Sequence, residues 1–267
     1  MGGYIHGYDE REAVRLEDQA RTLEELLHAD TGFPDRSTVL EAGCGTGAQT
    51  QAIARRSKGA RIIAVDVSAA SLVEARARVS AAGFANVEFR QADLLALPFA
   101  PASFDHIFLC FVLEHLPDPA ATLASLRPLL RPGGTITVIE GDHGSTYFHP
   151  ESETAHAAVS CQVELQRRAG GDAMIGRRLY PLLARAGFQA VRVSPRMVYV
   201  DASKPELVDG FIRRTFTAMI EGVRESALAA GLTTPDGFDA GTRALHRKAE
   251  PDGVFCYTFF KAVGRPV

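Results

Sequence analysis

The stretch VLEAGCGTGAQT, residues 39–50, constrains this chain more than any other part of it. A short apolar run, Val39-Leu40, leads to an acid, Glu41. Glycines then stand at alternate positions, Gly43, Gly45 and Gly47, before a helix-like segment begins. Such a run is a buried strand that breaks into a tight turn and feeds a helix. Glycine lacks Cβ, so the turn can take positive φ and its backbone can lie against a ligand. The first turn of the helix offers N–H groups that have no partner inside the helix. Alternate glycines weaken a helix start unless something needs the space. A flat, polar, nucleotide-like ligand is therefore expected here.

The rest of the composition narrows the setting. A chain of 267 residues with 46% hydrophobic content suits one α/β domain with an elaboration. The formal charge is −3 and the isoelectric point about 6.2, so no nucleic-acid partner is expected on charge grounds. Cys44, Cys110, Cys161 and Cys256 are far apart and form no C-x-x-C pair. That spacing predicts neither a metal site nor a disulfide framework. The first 20 residues carry too many charges for a signal peptide. No apolar run approaches the roughly 18 residues of a membrane span. No membrane association and a cytoplasmic location are the resulting expectations.

Along the chain, strands and helices alternate. Strands are predicted at 38–41, 61–68, 86–93, 104–113 and 135–142, and helices at about 48–57, 71–82 and 118–130. Apolar strands in this rhythm predict a doubly wound α/β fold with a mostly parallel sheet. After residue 142 the rhythm breaks. The run HGSTYFHPES reads as a loop, 153–168 and 176–186 as helices, 188–201 as a strand, and 203–231 as one long amphipathic stretch. The aromatic and β-branched run GVFCYTFFKAVGR closes the chain as a strand. The predicted organisation is an N-terminal helical lid at 1–36, a cofactor-binding Rossmann-like core at 37–142, and a remainder at 143–267. Helical insertions at about 145–175 and 203–250 would cap the site. A surface helix that mediates a homodimer is the competing reading of the long stretch.

The glycines alone do not name the ligand. Gly43, Gly45 and Ala48 also satisfy the dinucleotide fingerprint G-x-G-x-x-G/A, so a nicotinamide, a flavin or adenosyl-methionine would each fit. The motifs that follow favour the last. Residues 38–142 resemble the class I, seven-stranded S-adenosyl-L-methionine-dependent methyltransferases of small-molecule type. The matching motifs are EAGCGTG at 41–47, the strand-end acid in AVDVS, QADLLALPF at 91–99, FDHIF at 104–108, LEHL at 113–116 and LRPGGTITV at 130–138. The later pattern fits too: RAGF, a strand, an insertion, then an antiparallel final strand. The resemblance implies a seven-stranded sheet and the cofactor S-adenosyl-L-methionine, with S-adenosyl-L-homocysteine as product.

The resemblance also implies site residues. Gly43, Cys44, Gly45 and Gly47 would lie against the amino-acid end of the cofactor, with Glu41 fixing the turn or meeting the ammonium through water. Asp66 would accept the ribose hydroxyls. Asp93 would meet the adenine amino group, with Ala92 before it and Val67 and Leu94 as the ring's platforms. Cys110 and Phe111 would pass under the methionine part, and His115 would line the site. Tyr4, His6 and Tyr8 would form a lid, and Arg15 a carboxylate clamp.

A small-molecule acceptor is expected in the crevice past strand five. His143 is the first candidate for a general base, with His149 and Tyr147 as alternatives. Tyr147, Tyr180, Arg196, Tyr199 and Tyr257 would reach the same cavity, and Arg177, Arg178 or Arg196 would hold an anionic acceptor. Two other classes compete with this reading: a nicotinamide-dependent oxidoreductase and a non-catalytic adenosyl-methionine-binding module.

Overall fold

The computed structural model describes residues 10–266. Helix α1 (Glu10–His28) precedes β1 (Thr38–Ala42), α2 (Ala48–Arg56), β2 (Arg61–Asp66), α3 (Ala69–Ala81), β3 (Val87–Gln91) and β4 (Phe104–Cys110). Then come α4 (Pro119–Leu126), β5 (Leu130–His149), α5 (Glu153–Arg168), α6 (Leu179–Arg185) and β6 (Phe188–Val200). The short α7 (Pro205–Leu207), a π-helical segment Val208–Thr217, α8 (Ala218–Gly222), α9 (Arg224–Ala229) and α10 (Pro235–His246) lead to the last strand, β7 (Val254–Pro266).

The strands form one seven-stranded sheet in the order β3-β2-β1-β4-β5-β7-β6. Strands β1 to β5 pair in parallel, and β7 runs antiparallel to both β5 and β6. The central strands are apolar because both of their faces are covered. Leu23, Leu27, Ile53, Phe108, Phe211 and Phe255 belong to one buried layer. Leu40, Ile107, Leu109, Leu123 and Leu182 belong to the other. Helix α3 starts at Ser68, whose hydroxyl accepts the Ser71 N–H, and α4 at Asp118, whose carboxylate accepts that of Ala121.

Three departures from the sequence expectations matter for the site. First, HGSTYFHPES is largely strand. The β5–β7 ladder shifts register between Asp142 and Tyr147, then resumes with Tyr147, Phe148 and His149 opposite Cys256, Phe255 and Val254. Phe148 turns inward onto Phe255, at 6.0 Å between ring centroids, while Tyr147 and His149 turn outward. The bulge interrupts the two-residue periodicity that would have betrayed the strand.

Second, β4 stops at Cys110, not at residue 113. Phe111 takes a left-handed backbone with φ +58°, and Leu113–His115 form a 3₁₀ turn. Third, the stretch 203–231 is not one helix. The Thr215 hydroxyl donates to the Gly210 carbonyl at 2.7 Å, five residues back, within the π-helical segment that packs against α1. Among the described residues, no helix is long and apolar enough to cross a membrane.

Candidate active site

The glycine turn is tied to the end of β2. The N–H groups of Gly43 and Cys44 both donate to the Val65 carbonyl at 2.9 Å. All three glycines have positive φ, +81°, +50° and +78°, but they serve different ends. A Cβ on Gly43 would lie 2.7 Å from Val112, and one on Gly47 3.0 Å from Ala75, so these two let the turn pack on the protein. A Cβ on Gly45 would meet nothing within 4 Å. Gly45 therefore presents bare backbone to open space.

Asp66 closes this edge. Its Oδ2 accepts the Gly45 N–H at 2.8 Å and its Oδ1 the Ser68 N–H at 2.9 Å. A carboxylate offers about four lone-pair sites, so acceptor capacity is left on both oxygens. The Ala92 N–H donates to the Asp66 carbonyl, and Gln91 Nε2 to that of Val67. Val67 is 64% exposed beside them. Asp93 is exposed and accepts the Leu95 N–H at 2.9 Å. Ala92 and Leu94 are half-buried against the core, and the more exposed aliphatic side chain at this turn is Leu95.

Glu41 lies under the turn. Burial pushes its carboxyl up to about 8, the charge of Asp66 adding to the shift, and its Oε2 is buried without a partner among the described residues. Cys44 and Cys110 are buried, which raises both thiols and leaves them protonated.

The turn after β4 is bolted from β5. Glu140 Oε1 accepts the N–H groups of Val112 at 3.0 Å and Leu113 at 2.7 Å, and the Phe111 N–H donates to the Ile139 carbonyl at 2.9 Å. Burial, reinforced by the charge of Glu114, raises Glu140 well above the usual carboxylate range. Its Oε2 is a second buried oxygen without a partner among the described residues. Glu114 fastens the same turn to α5: Gln166 Nε2 donates to its carbonyl at 3.0 Å and to its Oε2 at 3.1 Å. His115 ends the turn, its Nε2 3.6 Å from Glu114 Oε1. Arg15 is buried on α1, Nη1 reaching Gln19 Oε1 at 3.2 Å, and its charge acts on His143. Tyr4, His6 and Tyr8 lie outside the described residues.

His143 is buried at the β5 bulge. Its Nδ1 lies 2.7 Å from the Tyr257 hydroxyl, and its Nε2 has no partner among the described residues. Burial lowers its pKa, so the ring is neutral at pH 7. The residue lines a cleft of about 450 Å³ together with Thr146, His156, Val159, Val163 and Met174.

The expected common cavity for the other acceptor-side residues is corrected by their positions. Tyr147, 53% exposed, and His149 lie on the outward face of the β5–β7 extension, because Phe148 between them takes the inward one. Tyr180 is 59% exposed at the start of α6. Arg196 and Tyr199 point to opposite faces of β6, being three residues apart on a strand. Arg196 is held by Asp30 at 2.5 Å, while Tyr199 lies outward beneath Lys204, whose Nζ is 5.3 Å from the ring centroid. Arg177 forks onto the buried carboxylate of Asp142 at 2.7 and 2.8 Å, and Arg178 pairs with Asp172. These cations answer internal carboxylates.

Glu114, Glu140 and Gln166 were not among the expected site residues. One signal pointed to Glu140: an acid inside the apolar run TITVIEGD is a buried charge that needs a reason. Among the described residues, no group of His, Cys, Asp and Glu is arranged to hold a metal ion.

The strand order with its antiparallel seventh strand, the glycine turn and the strand-end acid define a class, and comparison with known proteins agrees. A methyltransferase-domain family model matches residues 39–134. The chain is 30% identical over 226 residues to trans-aconitate 2-methyltransferase of Deinococcus radiodurans, covering 83% of this chain and 79% of that protein. It is 32% identical over 208 residues to an uncharacterized 37.1 kDa protein of a Streptomyces fradiae transposon, covering 77% and 59%. The fold matches phosphoethanolamine N-methyltransferase 2 of Haemonchus contortus with a TM-score of 0.58 at 19% identity, over 97% of this chain and 59% of that one. The match spans 59%, 25%, 53% and 50% of the length of four relatives.

The chain belongs to the class I methyltransferases. S-adenosyl-L-methionine is the methyl donor of that family.

Proposed function

We propose that this chain transfers a methyl group from S-adenosyl-L-methionine to an oxygen of a small-molecule acceptor held against His143. When bound, the cofactor supplies an activated methyl group; the protein supplies alignment and excludes water. One juxtaposition carries the reading. A turn with bare backbone at Gly45 and a buried carboxyl at Glu41, whose Oε2 has no partner among the described residues, stand on one side of the β4 end. A buried neutral histidine whose Nε2 has no partner among the described residues stands at the bulge of β5, beyond the part of that strand that pairs with β4.

The residues present suit the cofactor. Gly45 with Gly43, Cys44 and Gly47 offers the close backbone approach its amino-acid end needs, and Glu41 an acid for its ammonium. Asp66 keeps acceptor capacity for the ribose hydroxyls. Asp93 offers a carboxylate for the adenine amino group, with Ala92 ahead of it, and Val67, Leu94 and Leu95 supply aliphatic surface. Cys110, the left-handed Phe111 and His115, at and just past the end of β4, would face the methionine part of the cofactor, and Arg15 supplies a cation on α1. The names of related proteins, trans-aconitate 2-methyltransferase and ubiquinone biosynthesis O-methyltransferase, support an oxygen acceptor.

The test has two arms. Calorimetry with S-adenosyl-L-homocysteine and with NADH checks the cofactor; affinity for NADH alone would refute the reading. Labelled methyl donor is then incubated with a panel of small carboxylic acids and phenols, and products are read by mass spectrometry. No methylated product despite good cofactor binding would favour a binding module. In the His143→Ala variant, turnover is expected to fall by about 10- to 100-fold, the worth of a hydrogen bond to a charged group, while affinity for the cofactor product holds. Undiminished turnover would remove His143 from the acceptor side.

A further inference from the structure

Tyr257 seats its hydroxyl where another residue's Cβ would stand. A Cβ on Gly141 would lie 2.4 Å from Tyr257 Oη, so glycine at 141 is what admits the phenol to the β5 backbone. From that seat the oxygen reaches His143 Nδ1 at 2.7 Å. The ring is 2% exposed. Phe211, Phe216 and Phe259 surround it at centroid distances of 5.9, 5.6 and 4.7 Å. This apolar cage raises the phenol well above its ordinary pKa, so it keeps its proton.

A buried hydroxyl places its hydrogen on an acceptor. Among the described residues, His143 Nδ1 is the group positioned to receive it. A neutral imidazole that accepts at one nitrogen carries its hydrogen on the other. That other nitrogen, Nε2, is buried with no partner among the described residues. An unsatisfied buried donor is costly and is retained where a ligand completes it.

We propose that Tyr257 is a positioning residue that locks His143 as the Nε2–H tautomer, so that His143 donates a hydrogen bond to an oxygen of the methyl acceptor. The proposal rests on the reading of His143 as the group that faces the acceptor, and it replaces the general-base role expected from sequence. It also narrows the acceptor to one whose oxygen already carries a free lone pair, as a carboxylate does. Such an oxygen supplies the electron pair of the new C–O bond, the pair of the broken C–S bond returns to sulfur, and no proton has to leave.

Long-range ¹⁵N–¹H correlation spectra of the ¹⁵N-histidine-labelled protein, with the His143 signals assigned by their loss in His143→Ala, test this directly. The expected result at pH 7 is a neutral ring with its hydrogen on Nε2. A ring protonated on Nδ1 alone, or an imidazolium, overturns the proposal while leaving methyl transfer intact. In Tyr257→Phe the tautomer preference is expected to relax toward a mixture, and Gly141→Ala, which displaces the phenol, should reproduce that spectrum. Turnover of the acceptor found in the panel should fall about tenfold in Tyr257→Phe, with affinity for S-adenosyl-L-homocysteine unchanged. A Tyr257→Phe protein that keeps the wild-type tautomer overturns the proposal. Absence of any methylated product would count against the methyl-transfer reading, and the tautomer spectra would still decide whether Tyr257 sets the ring.

Discussion

The two sides of the β4 end are built in opposite ways. The cofactor edge is made of near neighbours in sequence: Glu41, the glycines to Gly47 and Asp66 lie within one strand–helix–strand unit, and most of the bonds that hold it use backbone N–H groups. The acceptor wall is made of side chains far apart in sequence. His143 is set by Tyr257, Asp142 by Arg177, and Glu114 by Gln166. A site held by backbone depends on a few glycines and one carboxylate. A site held by distant side chains depends on each partner arriving in the right register.

Substitutions at the glycines should have the largest effects and should split by what each one faces. Gly43→Ala combines left-handed strain with a clash against Val112, together about 2–5 kcal/mol of stability. Gly45→Ala has open space around it, so urea unfolding should show only the strain, about 1–2 kcal/mol. Calorimetry should nonetheless show cofactor affinity lost in both. Retained affinity in Gly45→Ala would break the assignment of the open face to the cofactor.

On the acceptor wall, Arg177→Ala strips the bidentate partner from a buried carboxylate and should cost about 1.5–3 kcal/mol of stability. The acceptor KM should not change. A raised KM with intact stability would return Arg177 to the acceptor site. Asp66→Ala should weaken cofactor binding by about 1–3 kcal/mol. Calorimetry that finds unchanged affinity would refute the ribose assignment.

Glu41 gives a pH signature confined to the cofactor edge. Its carboxyl rises from 4.5 to about 8 on folding, so the folded state holds a proton that the unfolded state releases. That contribution is fully present below pH 4.5 and is lost as pH rises through about 8. In the cofactor-free protein, Glu41→Gln should therefore gain stability relative to wild type as pH increases from 5 to 8. Melting curves that stay parallel across that window would contradict it. The smallest effects are expected at Tyr180→Ala and Tyr199→Ala, within about 0.5 kcal/mol and with turnover unchanged, since both side chains lie outward.

Much of the first region was legible in the sequence. The strand before the glycine turn, the turn itself and the strand-end acid Asp66 answer local rules of φ, periodicity and orphaned N–H groups. The second region was legible only in part. His143 stood out as a histidine past strand five, but the strand containing it read as a loop, because the bulge hides alternation that only pairing with β7 reveals. Arg196 and Tyr199 read as one wall because sequence spacing does not tell which face of a strand a neighbour covers. Tyr257 read as one of several acceptor-side tyrosines, since the seat of its hydroxyl shows only beside Gly141, 116 positions earlier.

The sequence by itself determined the alternating α/β sheet, the glycine turn with its strand-end acid and the family resemblance that names the cofactor. These follow from backbone conformation and short-range periodicity, which each segment carries whatever surrounds it. Only the tertiary structure decided which charges are spent on pairs within the chain, which tyrosines face solvent and which nitrogen of His143 is left without a partner among the described residues. Burial and hydrogen-bond satisfaction are properties of atoms brought together from distant positions, and they come into being when the sheet closes.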